Sequence, residues 1–232
     1  MWNAASTEAL LLSLRVASLA TVAILLAGGP LAFWLGRRKR LGPLTCWIEP
    51  LLSLPLVIPP VVMGYVLLMA LGPASPVGRW LEAIGLRFAL DWKGAVLASG
   101  VLAFPLFLAV ARVAFSHCDR RLEEAARTLN AGPLRVFLTV TLPPAVPGLA
   151  AASVLAFARA FGEFGATMML AGNITGQTRT VPQAIWSYFQ AGREAPAWGL
   201  AAVSVAVGAA AMAASLVLVR GRAAPGEEGG HA

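Results

Sequence analysis

Long uncharged stretches separated by short charged ones dominate the pattern along this chain. Five of them are long enough, or nearly so, to cross the roughly 30 Å of bilayer hydrocarbon as helices of about 20 residues. They predict membrane spans at residues 9–36, 48–72, 93–115, 144–165 and 195–219. We therefore expect an all-α membrane domain over 9–219, followed by a cytoplasmic tail, 220–232, whose Gly, Ala and Glu content predicts disorder.

Composition agrees with this pattern. The 232 residues are 58% hydrophobic and 12% charged, with a mean hydropathy of +0.74, whereas a soluble domain is typically about a quarter charged. The basic run Arg37 to Arg40 directly follows the first span and no basic residue precedes that span, which is the reverse of a cleavable signal peptide. This order predicts a retained anchor in a lipid bilayer, with the N-terminus outside and the C-terminus cytoplasmic.

The distribution of Lys and Arg supports that orientation. Of the 18 such residues, eleven fall on the predicted cytoplasmic side or at the cytoplasmic end of a span, five outside or at the outer end of a span, and two, Arg15 and Arg159, in the interior of spans. The net charge of +7 thus follows from membrane topology. No basic surface interleaved with aromatic residues is present, so a nucleic-acid partner is not expected.

Residues for chemistry of the chain's own are scarce. The sequence contains no G-x-x-x-x-G-K-[ST] loop and no H-E-x-x-H, and its two histidines, His117 and His231, are far apart. Cys46 and Cys118 both fall on the predicted cytoplasmic side, where thiols stay reduced, so neither a disulfide nor a metal site is expected. No catalytic residue is predicted; an integral membrane enzyme without a known motif is a weak alternative.

The second span contains prolines in its interior. Pro55, Pro59 and Pro60 precede Gly64 in "LPLVIPPVVMGY", and each interior proline removes a backbone hydrogen bond. Breaks at membrane depth are tolerated where the backbone is buried or lines a cavity. We expect a kinked or split helix, and the residues leave open whether it faces a pathway or is a packing kink.

One charged segment, 117–143, interrupts the apolar pattern. In "EEAARTLNAGPLRVFLTVTLP" a first short helix carries charged residues on one face and an apolar face on the other. Asn130 and Gly132 tolerate left-handed backbone and suit the turn, and a second helix is expected to end at Pro143. The apolar face comprises Leu122, Ala125, Ala126 and Leu129, and the charged face comprises Arg120, Arg121, Glu123, Glu124 and Arg127.

Such an amphipathic hairpin must cover something with its apolar face. It could lie on the bilayer surface, pack on the protein's own spans, or dock in a groove of a partner. The residues alone do not decide among these three.

The same segment resembles the EAA loop of permease subunits of bacterial ABC importers. The E-A-A of that motif falls on Glu124, Ala125 and Ala126, and its closing L-P falls on Leu142 and Pro143. The motif's glycine position holds Asn130, the residue next most tolerant of left-handed backbone. The resemblance implies a coupling loop that sits in a cleft of a cytoplasmic ATPase subunit, where Ala125 and Ala126 permit close approach.

A second stretch, 157–190, is similar to the molybdate importer permeases. Those permeases carry a GEFGAT segment before an N-I-x-G-x-T-x-T-x-P-x-A-I-Y run, and here Trp186 takes the final aromatic position. Sulfate and thiosulfate permeases share the general E-F-G-A pattern and are the nearest competitors. A passive anion channel is a remote alternative.

These resemblances imply the type I ABC importer permease fold, in the bacterial inner membrane, with molybdate and secondarily tungstate as substrates. They imply several partners: a second copy of the chain, two copies of a cytoplasmic ATP-binding subunit, and an extracytoplasmic molybdate-binding protein. No cofactor is expected on this chain, because ATP-Mg belongs to the partner subunit.

Candidate pathway residues cluster near the outer end of the fourth span. Arg159 and Glu163 are four apart and share a helix face, which suits either a structural ion pair or contact with an oxyanion. The uncharged pieces of 164–192 are too short for a sixth span and suggest a re-entrant or outer gate region, although its polar residues could equally be loop caps. The candidate set is Pro59, Pro60, Arg159, Glu163, Phe164, Gly165, Thr167, Asn173 and Thr178.

Overall fold

The computed structural model describes residues 2–37 and 43–220, apart from the side chains of 43–46, 219 and 220. Within these ranges all regular structure is helical, which confirms the expected fold class. The basic residues 38–40, the side chain of Cys46 and the tail beyond 220 lie outside the described residues. The helices are α1 (Ala4–Gly36), α2 (Pro43–Val57), α3 (Pro60–Leu71), α4 (Pro76–Ala83), α5 (Trp92–Ser116), α6 (Arg120–Thr128), α7 (Pro133–Val136), α8 (Leu142–Phe161), α9 (Gly165–Ala171), α10 (Val181–Gln190) and α11 (Glu194–Arg220), with a π-helical turn, Phe137–Thr141, between α7 and α8.

Three long helices, α1, α5 and α8, form the centre of the molecule. Small residues allow helix backbones to approach closely in lipid, where close packing has to hold helices together. Phe107 is fully buried in this centre, and a Cβ added at Gly28 would lie 3.0 Å from its ring. The buried alanines of the three helices include Ala17, Ala20, Ala103, Ala111, Ala152 and Ala156.

Four helical segments in the described ranges are long and apolar enough to cross a membrane: Ala4–Gly36, Trp92–Ser116, Pro133–Phe161 and Glu194–Leu218. The first has 33 residues, about 50 Å at 1.5 Å per residue, so it extends beyond the hydrocarbon. Its N-terminus is capped by Asn3, whose side chain accepts a hydrogen bond from the Ser6 amide at 2.8 Å.

The predicted second span consists of two helices. Trp47–Val57 and Pro60–Leu71 meet at an angle of 110°, because the helix stops at Ile58 and Pro59 and begins again with Pro60 in its first turn. Proline suits this first position, where an amide donor would have no helical partner. Counted as one broken span, the pair brings the total to five.

The second helix of the charged segment does not end at the residue that the sequence indicates. A helix boundary was expected at Pro143, but α7, the π-helical turn and α8 follow one another without a loop. The Leu142 amide donates to the carbonyl of Phe137, five residues back, so the hydrogen-bonding pattern changes just before the two prolines that lack a donor. At its other end α8 stops at Phe161, four residues before the predicted end of the fourth span, and Gly162 caps it.

The stretch 164–192 holds two short helices. Helix α9 has 7 residues and α10 has 10, and each is too short to cross the hydrocarbon. Helix α9 packs against α3, and α10 packs against α11. The short helices therefore place polar residues of this stretch beside the broken second span and the last span.

Candidate functional site

The hairpin formed by residues 117–143 begins with a capped helix. Asp119 accepts a hydrogen bond from the Arg121 amide at 2.8 Å and so starts α6. Asn130 has the left-handed backbone predicted for it, with φ 59°. Gly132 was expected to share that conformation, but it is extended, with φ −63° and ψ 158°, and leads into Pro133. One left-handed residue is sufficient for the turn.

The apolar face of α6 points away from the rest of the protein. Leu122 and Ala125 are exposed, and Leu129 is 84% exposed, whereas Ala126 is half-buried. Nothing in 2–37 or 43–220 covers the first three, so the alternative in which this face packs on the protein's own spans is wrong for the described residues. Two alternatives remain for what covers the apolar face: a groove of a partner and the bilayer surface.

Glu123 does not lie on the outward charged face where its helical position placed it. It is only 8% exposed and forms an ion pair with Arg37 at the end of α1. Its other carboxylate oxygen accepts a hydrogen bond from Oγ1 of Thr141 at 2.5 Å, and Arg37 Nη1 donates to the Cys118 carbonyl at 3.1 Å. Sequence reasoning missed this because Arg37 and Glu123 are 86 positions apart.

A charged cleft of about 290 Å³ lies beside this ion pair. Burial lowers the pKa of Arg37, and the positive charge of Arg120 lowers it further. Glu124 borders the cleft and is exposed, as the resemblance to the EAA loop requires for a residue that contacts a partner. The cleft is lined by Phe33, Arg37, Arg120, Glu123, Glu124 and Arg127.

In the connection from α8 to α9, Glu163 uses both of its carboxylate oxygens. Oε2 accepts from Arg159 Nη1 at 2.6 Å, and Oε1 accepts from the Ala166 amide in the first turn of α9 at 2.9 Å. Glu163 is 3% exposed, and about a third of the Arg159 side chain is accessible. The arrangement joins α8 to α9 and supports the structural alternative for this ion pair.

Candidate pathway residues of the broken span and of α9 do come together. Gly165 lies against the start of α3, where an added Cβ would be 3.0 Å from the Val61 amide nitrogen and 3.1 Å from Pro60. One turn further along, a Cβ at Gly64 would be 2.6 Å from the Cα of Ala166. The two helices cross so closely that their backbones meet, with Pro59 and Pro60 exposed at the bend.

The polar candidates of the stretch 164–192 form hydrogen bonds with other residues of the same stretch. Thr167 is fully buried, and its hydroxyl donates to the Phe164 carbonyl at 3.0 Å. Thr178 Oγ1 accepts from the Ile174 amide at 3.0 Å, while Asn173 donates to Ser187 and accepts from Arg179. These contacts are those expected of loop caps.

Phe164 lines a separate cleft of about 560 Å³ together with aromatic residues of α10 and α11. Its wall is mainly apolar, with Trp186, Phe189 and Trp198 exposed.

Gln183 was not singled out from the sequence, yet it is fully buried and its Oε1 accepts from the Thr180 amide at 2.9 Å. The T-x-x-Q spacing of a capping box could have revealed it.

Comparison with known proteins identifies the group to which these features belong. Residues 28–223 match the family described as "Binding-protein-dependent transport system inner membrane component". The Escherichia coli (strain K12) molybdenum transport system permease protein ModB is 46% identical over 202 residues, which cover 86% of this chain and 87% of that protein. The Azotobacter vinelandii protein of the same name is 40% identical over 194 residues, or 83% and 85% of the two chains.

Solved structures show the same fold at low sequence identity. The inward-facing MetNI methionine ABC transporter matches with a TM-score of 0.70 and 17% identity over 93% of this chain and 95% of that chain. A bacterial ABC transporter that imports the polysaccharide alginate matches with a TM-score of 0.69 and 17% identity, over 95% and 80%. The resemblance drawn from the EAA loop and the GEFGAT segment is thereby confirmed, and the chain belongs to the family of binding-protein-dependent transport system inner membrane components.

Proposed function

We propose that this chain is the permease subunit of an ATP-driven importer for molybdate, with tungstate as a second substrate. The observation that carries the substrate class is the 46% identity to a molybdenum transport permease over most of both chains. The GEFGAT segment and the run from Asn173 to Trp186 resemble the molybdate permeases as well. Sulfate and thiosulfate are the competing substrates.

The partner arrangement follows from the hairpin. The exposed apolar face of α6 fits the helix-in-groove mode of docking. We assign this face to a cytoplasmic ATP-binding subunit. Two copies of that subunit would serve two copies of this chain, and an extracytoplasmic molybdate-binding protein would deliver the substrate.

The division of labour follows from the same arrangement. ATP-Mg is held and hydrolysed by the partner, while this chain binds no cofactor and converts the partner's movement into alternating access. The chain lies in the bacterial inner membrane, with its N-terminus outside and its C-terminus in the cytoplasm. In this orientation α6 and the start of α8 are cytoplasmic, while α9 and α10 are at the outer face.

Uptake of labelled molybdate into proteoliposomes tests the proposal. The vesicles contain this chain and its ATP-binding subunit. The binding protein is added on the side that the outer face of this chain occupies, and ATP is supplied on the side that carries the ATP-binding subunit. We expect ATP-dependent uptake that tungstate blocks and sulfate does not. Sulfate uptake would retain the importer and change the substrate, whereas flux without ATP would indicate a passive anion channel.

A further inference from the structure

A single acidic residue anchors the hairpin helix to the spans. Among the residues of α6, all of which the structure describes, Glu123 alone is buried. It pairs with Arg37, which directly follows α1, and it accepts from Thr141 in the π-helical turn that leads into α8. We call these three residues, Arg37, Glu123 and Thr141, the cytoplasmic clamp.

Aromatic packing surrounds the clamp on the membrane side. The Phe33 ring of α1 lies edge-on to Phe115 of α5 at 5.4 Å and to Phe137 of the π-helical turn at 5.1 Å. Edge-on pairs at such separations are favourable and geometrically specific. The end of α1, the end of α5 and the start of α8 are therefore packed together where Glu123 reaches them.

We propose that Glu123 is the positioning residue through which movement of α6 reaches the spans. Because its two carboxylate oxygens bind α1 on one side and the α8 entry on the other, α6 must move together with both helices. This inference rests on the proposed function. It assigns transmission to Glu123, whereas the neighbouring Glu124, which matches the EAA motif, is exposed and faces the partner.

The charges around the clamp make Glu123 hard to replace. Arg37, Arg120 and Arg127 border one cleft, and Glu123 is the buried carboxylate that compensates them. Removing one partner of a buried ion pair leaves the other without compensation, which costs more than the pair contributes. Removing either Glu123 or Arg37 should therefore weaken the link between α6 and α1.

The test uses the complete complex in proteoliposomes and compares Glu123→Gln and Arg37→Gln with the unmodified chain. We expect Glu123→Gln to keep the ATP-binding subunit in the purified complex. Stimulation of ATP hydrolysis by the molybdate-loaded binding protein should fall roughly tenfold, within the usual range of coupling between sites. Arg37→Gln should lose stimulation to a similar extent, because it removes the partner of the Glu123 carboxylate, and normal stimulation in Arg37→Gln would count against the clamp.

Glu49→Gln is the matched control, because Glu49 also forms an interhelical ion pair, with Arg112 at 2.6 Å, but it does not contact α6. Its stimulation should be unchanged. Equal loss in Glu49→Gln, unchanged stimulation in Glu123→Gln, or release of the ATP-binding subunit by Glu123→Gln would each overturn the proposal.

Thr141→Val keeps the shape of the side chain and removes only the hydroxyl, so it serves if Glu123→Gln does not fold. Normal stimulation in Thr141→Val would then count against the clamp. If the unmodified complex shows stimulation of ATP hydrolysis but no molybdate uptake, the substrate assignment is wrong. The clamp is then still tested by the stimulation of ATP hydrolysis. If the unmodified chain binds no ATP-binding subunit, the proposed function fails and the clamp fails with it.

Discussion

The ion pair between Arg159 and Glu163 shows how a charged side chain is accommodated at the end of a membrane span. Glu163 is almost inaccessible, and its second oxygen accepts from the Ala166 amide, so the carboxylate also caps α9. A charged residue in this position is costly unless it is paired. Arg159 therefore contributes to stability because it compensates the negative charge of Glu163. It thereby also stabilises the connection between α8 and α9.

Replacing Arg159 with Ala should destabilise the protein by up to about 3 kcal/mol, since it leaves a buried carboxylate unpaired. Thermal unfolding of the detergent-solubilised protein would measure this. The double variant Arg159→Met with Glu163→Gln should recover part of the loss, and Arg79→Ala, at an exposed outer position, should leave the unfolding temperature unchanged. Normal unfolding of Arg159→Ala combined with lost uptake would assign Arg159 to oxyanion contact instead.

Leu129 provides a second test at the scale of one residue. It is one of the most exposed large apolar side chains described, so Leu129→Asp should leave folding intact. Binding of the ATP-binding subunit should weaken by about 2 kcal/mol or more, the loss typical of an interface hot spot. Titration of the solubilised chain with that subunit measures the loss.

The control for Leu129→Asp is Ile84→Asp, an exposed apolar position just after α4. Subunit affinity should be unaffected there. Undiminished affinity in Leu129→Asp would mean that the exposed face of α6 rests on the bilayer surface, the remaining alternative for an amphipathic hairpin.

Among the helices, the close crossing of α3 and α9 depends on Gly64, which has no side chain. A Cβ at Gly64 would come within 2.7 Å of the Ala166 carbonyl oxygen and within 2.8 Å of Met169 Cβ. Backbone atoms cannot move aside as the end of a flexible side chain can. The crossing therefore holds the second half of the broken span against the segment that follows Glu163.

Gly64→Ala should destabilise the protein by roughly 1–3 kcal/mol, the usual cost of overpacking. Gly208→Ala in α11 is the matched control, because an added Cβ there meets nothing within 4 Å. In a helix interior, Ala is favoured over Gly by up to about 1 kcal/mol, so the control should be neutral or stabilised. Similar unfolding temperatures for both variants would show that α3 and α9 are not in close contact.

For the molecule as a whole, orientation in the membrane is the property that the charge distribution predicts. With Cys46 and Cys118 replaced by Ala, a single cysteine is introduced as Gln177→Cys, on the outer loop, or as Leu129→Cys, on the hairpin. We expect a membrane-impermeant maleimide to label Gln177→Cys in spheroplasts. Leu129→Cys should react only after permeabilisation, and the reverse pattern would invert the proposed topology.

Features that depend on local composition were predictable, and features that depend on distant contacts were not. Uncharged length is sufficient to locate membrane helices, and the prolines at 59 and 60 indicated the break in the second span. The i, i+4 spacing also indicated the pair of Arg159 and Glu163. Helix period alone placed Glu123 outward, because a periodic pattern contains no information about an arginine 86 positions away.

The π-helical turn Phe137–Thr141 has a consequence for how such chains can change in length. It connects α7 to α8 without a loop, and its hydrogen bond from Leu142 to Phe137 encloses one residue more than an α-helical turn does. Removing one residue inside this turn would let an ordinary α-helical turn form and would leave the direction of α7 nearly unchanged. Removing one residue within α8 would instead rotate the preceding segment by about 100° around the helix axis, so changes in residue number are accommodated at this turn more readily than in α8.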